Sequence, residues 1–205
     1  MREFIFYSKN ARTAGNFNIE NLAGAGRIDI SCDVIFESFF VSNHMRDNTR
    51  LHLIFNGAPD APKHLEIFPK TLAFGNIGGQ QVINQKDIAG VIKKMLFKYK
   101  KNEKTEIFPG YFIEKKSFID VIEDLRKVDK EDKEIYILDR RGEDIRNIKI
   151  HKNPVFILGD NEGIPKQELK KLEKLSIKKV SIGSQMYLAS QAVIIVNNEL
   201  DIRGI

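Results

Sequence analysis

Three short apolar runs in the second half of the chain, Glu134–Leu138, Pro154–Leu158 and Lys179–Ile182, each stop at a polar or glycine-bearing turn. That pattern restricts the fold more than any other feature. Runs of this length suit strands buried on both faces of a parallel sheet. A lysine-rich helix is predicted between the second and third, from about Pro165 to Leu175, with the proline in its first turn. Residues 187 to 200 then close the chain as a helix. Strands alternating with helices indicate the α/β class, with a mainly parallel sheet flanked by helices.

The first half is read from its periodicities. Residues 2 to 8 form a predicted strand, followed by a polar loop ending in Gly24-Ala25-Gly26. Ile28, Cys32, Ile35, Phe36, Phe39 and Phe40 recur at helical spacing, which predicts a helix over 27–42. Leu51–Phe55 is a strand stopped by Asn56-Gly57, Pro59 and Pro62, and His64–Phe68 is its expected hairpin partner. Asn84 and Asp87 mark a helix start ahead of Ile88, Val91, Ile92, Met95, Leu96 and Tyr99. Ser117 and Asp120 form a capping-box pattern before Val121, Ile122 and Leu125. No repeat or linker interrupts the chain. One domain over 1–205 is expected, with a β-containing extension over about 1–80 on the sheet edge.

Hydrophobic residues make up 42% of 205, enough for a sizeable core. No run of eighteen apolar residues is present, and Met1-Arg2-Glu3-Phe4 does not begin a secretory signal, so a cytoplasmic protein is expected. Cys32 is the only cysteine, and His44, His52, His64 and His151 are scattered, so neither a disulfide nor a metal site is expected. The net charge of +5 is compatible with an anionic partner. Lysines cluster in two stretches, Lys93–Lys104 and Lys166–Lys179, with six in each. Each stretch is either a solvated helix face or a phosphate-tracking surface.

Several chemistries are excluded. Gly24-Ala25-Gly26 fails as a dinucleotide fingerprint, because position 29 is Asp29 and no strand immediately precedes it. A phosphate-binding P-loop is missing, and so is a G-x-S-x-G elbow. What remains are three segments at the carboxyl ends of predicted strands: Leu138-Asp139, Gly159–Gly163 and Ser181–Met186. Ligands of open α/β sheets gather at those ends, so the three together predict a small-ligand pocket.

Phe156–Gly163, Val180-Ser181-Ile182-Gly183 and Leu188-Ala189-Ser190-Gln191-Ala192 resemble the last two motifs of the SPOUT methyltransferases. Met1–Phe6, Gly26-Arg27-Ile28-Asp29, Phe108-Pro109-Gly110 and Asn198–Asp201 extend the likeness from end to end. The chain is similar to the tRNA pseudouridine N1-methyltransferase (TrmY) family, and within it to the bacterial branch of pseudouridine methyltransferases. That resemblance implies a homodimer with a deep trefoil knot over about 134–205, an exception to the rule against threaded chains. It also implies S-adenosylmethionine as cofactor and tRNA as substrate, methylated at N1 of a T-loop pseudouridine. By position, Leu138, Gly159, Ser181, Ile182, Gly183, Met186, Leu188 and Ala192 would line the cofactor pocket. Arg27 and Asp29 are the candidate catalytic pair, and Arg46 is a candidate RNA contact. The chain departs from the family pattern at Asn161 and Asn197, where relatives have histidine, and at Ala192, where they have cysteine. Another tRNA or rRNA nucleoside, or RNA binding without catalysis, are the alternative readings.

Overall fold

The computed structural model describes residues 1–42, 44–69, 83–128 and 133–205. Its strands are β1 (Arg2–Ser8), β2 (Phe40–Val41), β3 (His44–Met45), β4 (Thr49–Phe55), β5 (Lys63–Ile67), β6 (Thr105–Phe108), β7 (Tyr111–Glu114), β8 (Lys133–Asp144), β9 (Asn153–Gly159) and β10 (Lys178–Ser181). The helices are α1 (Ile28–Phe39), α2 (Gln85–Phe97), α3 (Phe118–Val128), α4 (Lys166–Lys174) and α5 (Ala189–Ile202). Among the described residues the main sheet has the order β10-β8-β9-β1-β4-β5-β7-β6. From β10 to β4 all neighbours are parallel, and β5, β7 and β6 continue the sheet antiparallel. The α/β class with a mostly parallel sheet is therefore the observed one.

The antiparallel part comes from other residues than expected. β1 lies at the centre of the sheet, paired in parallel with both β4 and β9, and all seven of its residues are buried. Among the described residues of the first 80, only β5 joins the antiparallel margin, alongside the unforeseen hairpin β6–β7. Pro109-Gly110 forms the turn of that hairpin, with Gly110 at φ 86°, the arrangement of Pro then Gly that a type II turn favours. α1 is also shorter than expected: Phe40 turns extended, and β2 pairs with β3. Pro165 caps α4 from outside rather than opening its first turn.

Two apolar layers hold the sheet. On one face Phe4, Phe6, Leu51, Leu53, Phe156 and Leu158 pack with the buried stripes of α1, α2 and α5. On the other, Ile5, Tyr7, Ile54, Ile135, Ile137 and Ile157 pack under Val121, Ile122 and Leu125 of α3 and Leu172 of α4. Each fully buried aliphatic or aromatic side chain contributes about 1.5–3 kcal/mol. The helix starts follow the sequence signals. Asn84 accepts from the Lys86 and Asp87 amides, Asp87 accepts from the Asn84 amide, and Ser117 and Asp120 bond each other.

A buried polar row crosses the second face. Lys133 Nζ lies 2.9 Å from Glu3 Oε1, and His52 Nε2 lies 3.0 Å from Glu3 Oε2. His52 Nδ1 faces His64 Nε2 at 2.9 Å, and His64 Nδ1 reaches Glu114 Oε1 at 3.0 Å. Two histidines that are scattered in the sequence are thus neighbours in the sheet, with Glu66 close by. No helix among the described residues is long and apolar enough to cross a membrane.

Candidate active site

Because β10, β8, β9 and β1 run parallel and adjacent, their carboxyl ends meet at one end of the sheet. The Gly159–Gly163 loop leaves β9 there and folds tightly on itself. A Cβ on Gly159 would lie 2.8 Å from Gly163 C and Ile164 N, so only glycine fits without moving backbone. Asp160 ties this loop to the end of β1. Its Oδ2 accepts from Ser8 Oγ at 3.1 Å and the Lys9 amide at 2.9 Å, and its Oδ1 accepts from the Glu162 amide. The Asp160 amide donates to Tyr7 O at 3.0 Å. Glu162 pairs with Lys9 Nζ at 2.8 Å and accepts from Asn10 Nδ2.

Beside it, Ser181 ends β10 and turns the chain: its Oγ donates to Gly183 O and accepts from the Gly183 amide. Gly183 sits at φ 139°. Leu138 marks where β8 stops pairing with β9, and residues 138–142 then bulge before Val180 pairs with Glu143. Ile182 and Ala192 are buried, Leu188 caps α5, and the chain between presents Met186 (79% exposed) and Leu188 (67%) to solvent. Hence Gly159 ends β9, Ser181, Ile182 and Gly183 end and follow β10, Met186 and Leu188 lie in the segment beyond, Ala192 stands in the first turn of α5, and Leu138 lies within β8 just past its last pairing with β9. Apolar walls next to glycine backbone and the Ser181 hydroxyl can hold a flat, purine-bearing cofactor.

α1 runs back from this end of the sheet, so its amino terminus opens here. Gly26 (φ 76°) and Arg27 (φ 65°) are both left-handed, and a Cβ on Gly26 would strike Asn10 O at 1.8 Å. A left-handed arginine costs on the order of 1–3 kcal/mol, which the surrounding packing must hold in place. It places the guanidinium on Asp29, with Arg27 Nε 3.1 Å from both carboxylate oxygens and Nη2 2.9 Å from Oδ2. The Asp29 hydrogen bond raises the Arg27 pKa, and the nearby charges of Asp160 and Asp33 add to it. The candidate catalytic pair therefore lies within electrostatic reach of the Asp160 loop.

Arg46 is not brought to this place. Its Nη1 and Nη2 grip both oxygens of Asp201 at 2.8 and 2.6 Å, next to Arg2 at the opposite end of β1. Asn197 is also there: buried, it accepts from Arg2 Nη1 at 3.1 Å and donates to Glu37 O. Asn161 is exposed in the Asp160 loop. Cys32 is buried in the core, where desolvation pushes its thiol up, so it is no nucleophile. A separate cleft of about 530 Å³ runs along β8 and β10. There Glu134 pairs with Lys178 and His151 and accepts from Tyr136.

Sequence pattern does not single out Ser8, Asn10, Asp160 or Glu162 as site residues. Asp160 and Glu162 stand inside a segment that it does mark, and Ser8 ends, and Asn10 follows, a strand whose central position only the assembled sheet reveals.

The family model described as "Putative SAM-dependent RNA methyltransferase" matches residues 1–205. The tRNA (pseudouridine(54)-N(1))-methyltransferase of Pyrococcus abyssi is 36% identical over the whole of both chains. A Vibrio atlanticus protein named "Putative pseudouridine methyltransferase" is 29% identical, again over the whole of both. Among solved structures, Archaeoglobus fulgidus Nep1 bound to S-adenosylhomocysteine shares the fold, with a TM-score of 0.63 over 99% of each chain at 11% identity. Matched from its first residue to its last, the chain belongs to the SAM-dependent RNA methyltransferase family.

Proposed function

We propose that this protein methylates N1 of pseudouridine 54 in the tRNA T-loop, the reaction named for its 36% identical relative. The observation that carries the reading is the convergence of the Arg27–Asp29 pair and the three strand-end loops on one end of the sheet. Leu138, Ile182 and Ala192 would flank the adenine of S-adenosylmethionine. Gly159, Ser181, Gly183, Met186 and Leu188 would hold the rest of it. The bound cofactor supplies an electrophilic methyl group.

The chain's own residues then have two tasks. One is to hold the base against that methyl, a positioning effect that can be worth about 7–11 kcal/mol. The other is to manage the proton on N1 and the negative charge left on the base. Asp29, oriented by two-pronged contact with Arg27, accepts the proton. Arg27, whose charge persists throughout, stabilises an oxygen of the base. Asp160 positions the loop facing them through Ser8 and Lys9.

The same reading makes the chain one cytoplasmic domain, knotted over about 134–205. Gly142 lies against Val180, Ile145 donates to Ser181 O, and Arg203 bonds the carbonyls of Ile145 and Ile148. Residues 142–148 are thus held by β10 and by the end of α5, two elements later in the chain, which supports the threading. A crystal structure with 142–148 outside α5 and β10 would remove the knot.

A homodimer is proposed on the face shared by α1 and α5, which pack together. Phe36 (37% exposed), Ile194 (44%) and Ile202 (73%) are the exposed large apolar side chains of these two helices. Phe36 also stacks on Phe40, with ring centroids 5.1 Å apart. Sedimentation should give a dimer for the wild type and a monomer for F36E/I194E. A wild type that is monomeric at micromolar concentration would end the proposal.

The activity is tested by transfer of labelled methyl from S-adenosylmethionine to two versions of one tRNA, with pseudouridine or with uridine at position 54. Labelling of the pseudouridine form alone is expected. Equal labelling of both would overturn the nucleoside assignment.

A further inference from the structure

We infer that the outer face of α4 is the surface along which the RNA backbone runs to the site; the inference rests on the reading of the protein as an RNA-modifying enzyme. Lys166, Lys170 and Lys174 recur every four residues, so they form one stripe on the helix. Leu172 is buried on the other side, with Leu169 half-buried beside it. Eight residues of helix separate the first lysine from the last, about 12 Å. All three are exposed, and none makes an ion pair among the described residues.

That freedom distinguishes α4 from the other lysine-rich stretch. In 93–104, Lys93 donates to Phe17 O and Lys94 lies 4.4 Å from the Phe108 ring centroid. Lys100 pairs with Glu103, and Lys104 pairs with Glu66 beneath the Phe112 ring. Among the described residues, only Lys98 and Lys101 are left unengaged there. On α4, by contrast, Glu168 is taken up by Lys171, and the exposed Glu173 forms no ion pair with the stripe, which keeps a net positive charge.

Position supplies the second argument. α4 begins directly after the Gly159–Gly163 loop and Pro165, so the stripe starts at the same end of the sheet as the proposed base-binding site, on the face opposite α1, and leads away from it. A strand whose nucleotide sits at Asp29 would cross this end of the sheet to bring its phosphates to the three exposed ammonium groups. Each lysine that meets a phosphate releases close to one counterion, which stabilises the complex at low salt and less so at high salt.

The test compares the full-length wild type with K166Q/K170Q/K174Q in tRNA binding from about 50 to 200 mM salt, a range over which such contacts weaken. The slope of log K against log salt should shallow by about 2–3, roughly one per lysine. Affinity at the low-salt end should fall by about tenfold to a hundredfold, since that end carries most of the counterion gain. The rate at saturating tRNA and the affinity for S-adenosylhomocysteine should stay as in the wild type, because the proposal gives α4's lysines phosphate contacts only, with no part in holding the reacting base or the cofactor. K98Q/K101Q is the control and should leave the slope unchanged. An unaltered slope in the triple variant, with the wild type binding tRNA normally, overturns the α4 surface while leaving the RNA reading intact. A wild type that binds no tRNA overturns both.

Discussion

Asp29→Asn should slow methyl transfer to tRNA by about 10²–10⁴-fold, the range over which a positioned acid or base contributes. Affinity for S-adenosylhomocysteine should change by no more than about twofold, because Asp29 is assigned to the base and is not among the residues proposed to hold the cofactor. The substitution is nearly isosteric: the amide oxygen can still accept one bond from Arg27, now at 2.9–3.1 Å from both carboxylate oxygens. What it removes is the negative charge that draws a proton from N1 and balances Arg27. Single-turnover transfer, with cofactor affinity measured by calorimetry, separates the two quantities. A rate within tenfold of the wild type would mean that Asp29 is not the proton acceptor and serves only to hold Arg27 in its left-handed turn. Arg27→Lys is the companion test, since an ammonium cannot reproduce the two-pronged contact and should lose rate even though the charge is kept.

The parts of this site that a sequence reading can find are those written in local pattern. α1, α2 and α3 follow from apolar stripes and capping residues, and each strand-end segment announces itself by an apolar run followed by glycine or polar residues. The β6–β7 hairpin escapes because Thr105, Glu106, Ile107 and Phe108 lie near the sheet margin, where none is fully buried and the two-residue period is blurred. Its Pro109-Gly110 turn is nevertheless a usable signal. Asp160 escapes as a hub for a different reason. Its partners Ser8 and Lys9 are about 150 residues away, and only the adjacency of β1 and β9 brings them together. Strand order does not show in local periodicity, and for the same reason Arg46 reads as an RNA contact although Asp201 holds it at the far end of β1. The polar row is the least legible feature: five charged or titratable residues on five strands look like surface until the sheet is assembled.

That row carries the largest expected effect on stability. Glu3→Gln should destabilise the protein by about 3–5 kcal/mol at pH 7, the cost of removing one partner from a buried ion pair. Glu3 is fully buried, Lys133 is 7% exposed and His52 is 3% exposed, so neither cation-forming partner can turn to water for compensation. Burial alone would raise the Glu3 carboxyl, yet the hydrogen bonds and charges of His52 and Lys133 outweigh it and hold the group at about 2, below its ordinary 4.5. A depressed carboxyl stabilises the folded state above the unfolded pKa, and that stabilisation is lost as pH falls from about 4.5 towards 2. A shift of this size corresponds to about 3 kcal/mol, in line with the mutational expectation. His64 acts in the same direction at higher pH. Burial lowers its imidazole, so as pH falls through the usual histidine range the unfolded chain takes up a proton more readily than the folded one. Acid should therefore weaken the wild type in two stages, the histidine first and the carboxyl below it. In Glu3→Gln the lower stage should be missing, leaving a protein less stable at pH 7 but with a flatter acid limb. Urea denaturation at about pH 7, 5.5, 4 and 3 measures this, since the slope of stability with pH counts the protons taken up on unfolding. A variant with wild-type stability at pH 7, or with an unchanged dependence on acid, would mean that the row is held by packing alone and that its charges do not stabilise the sheet.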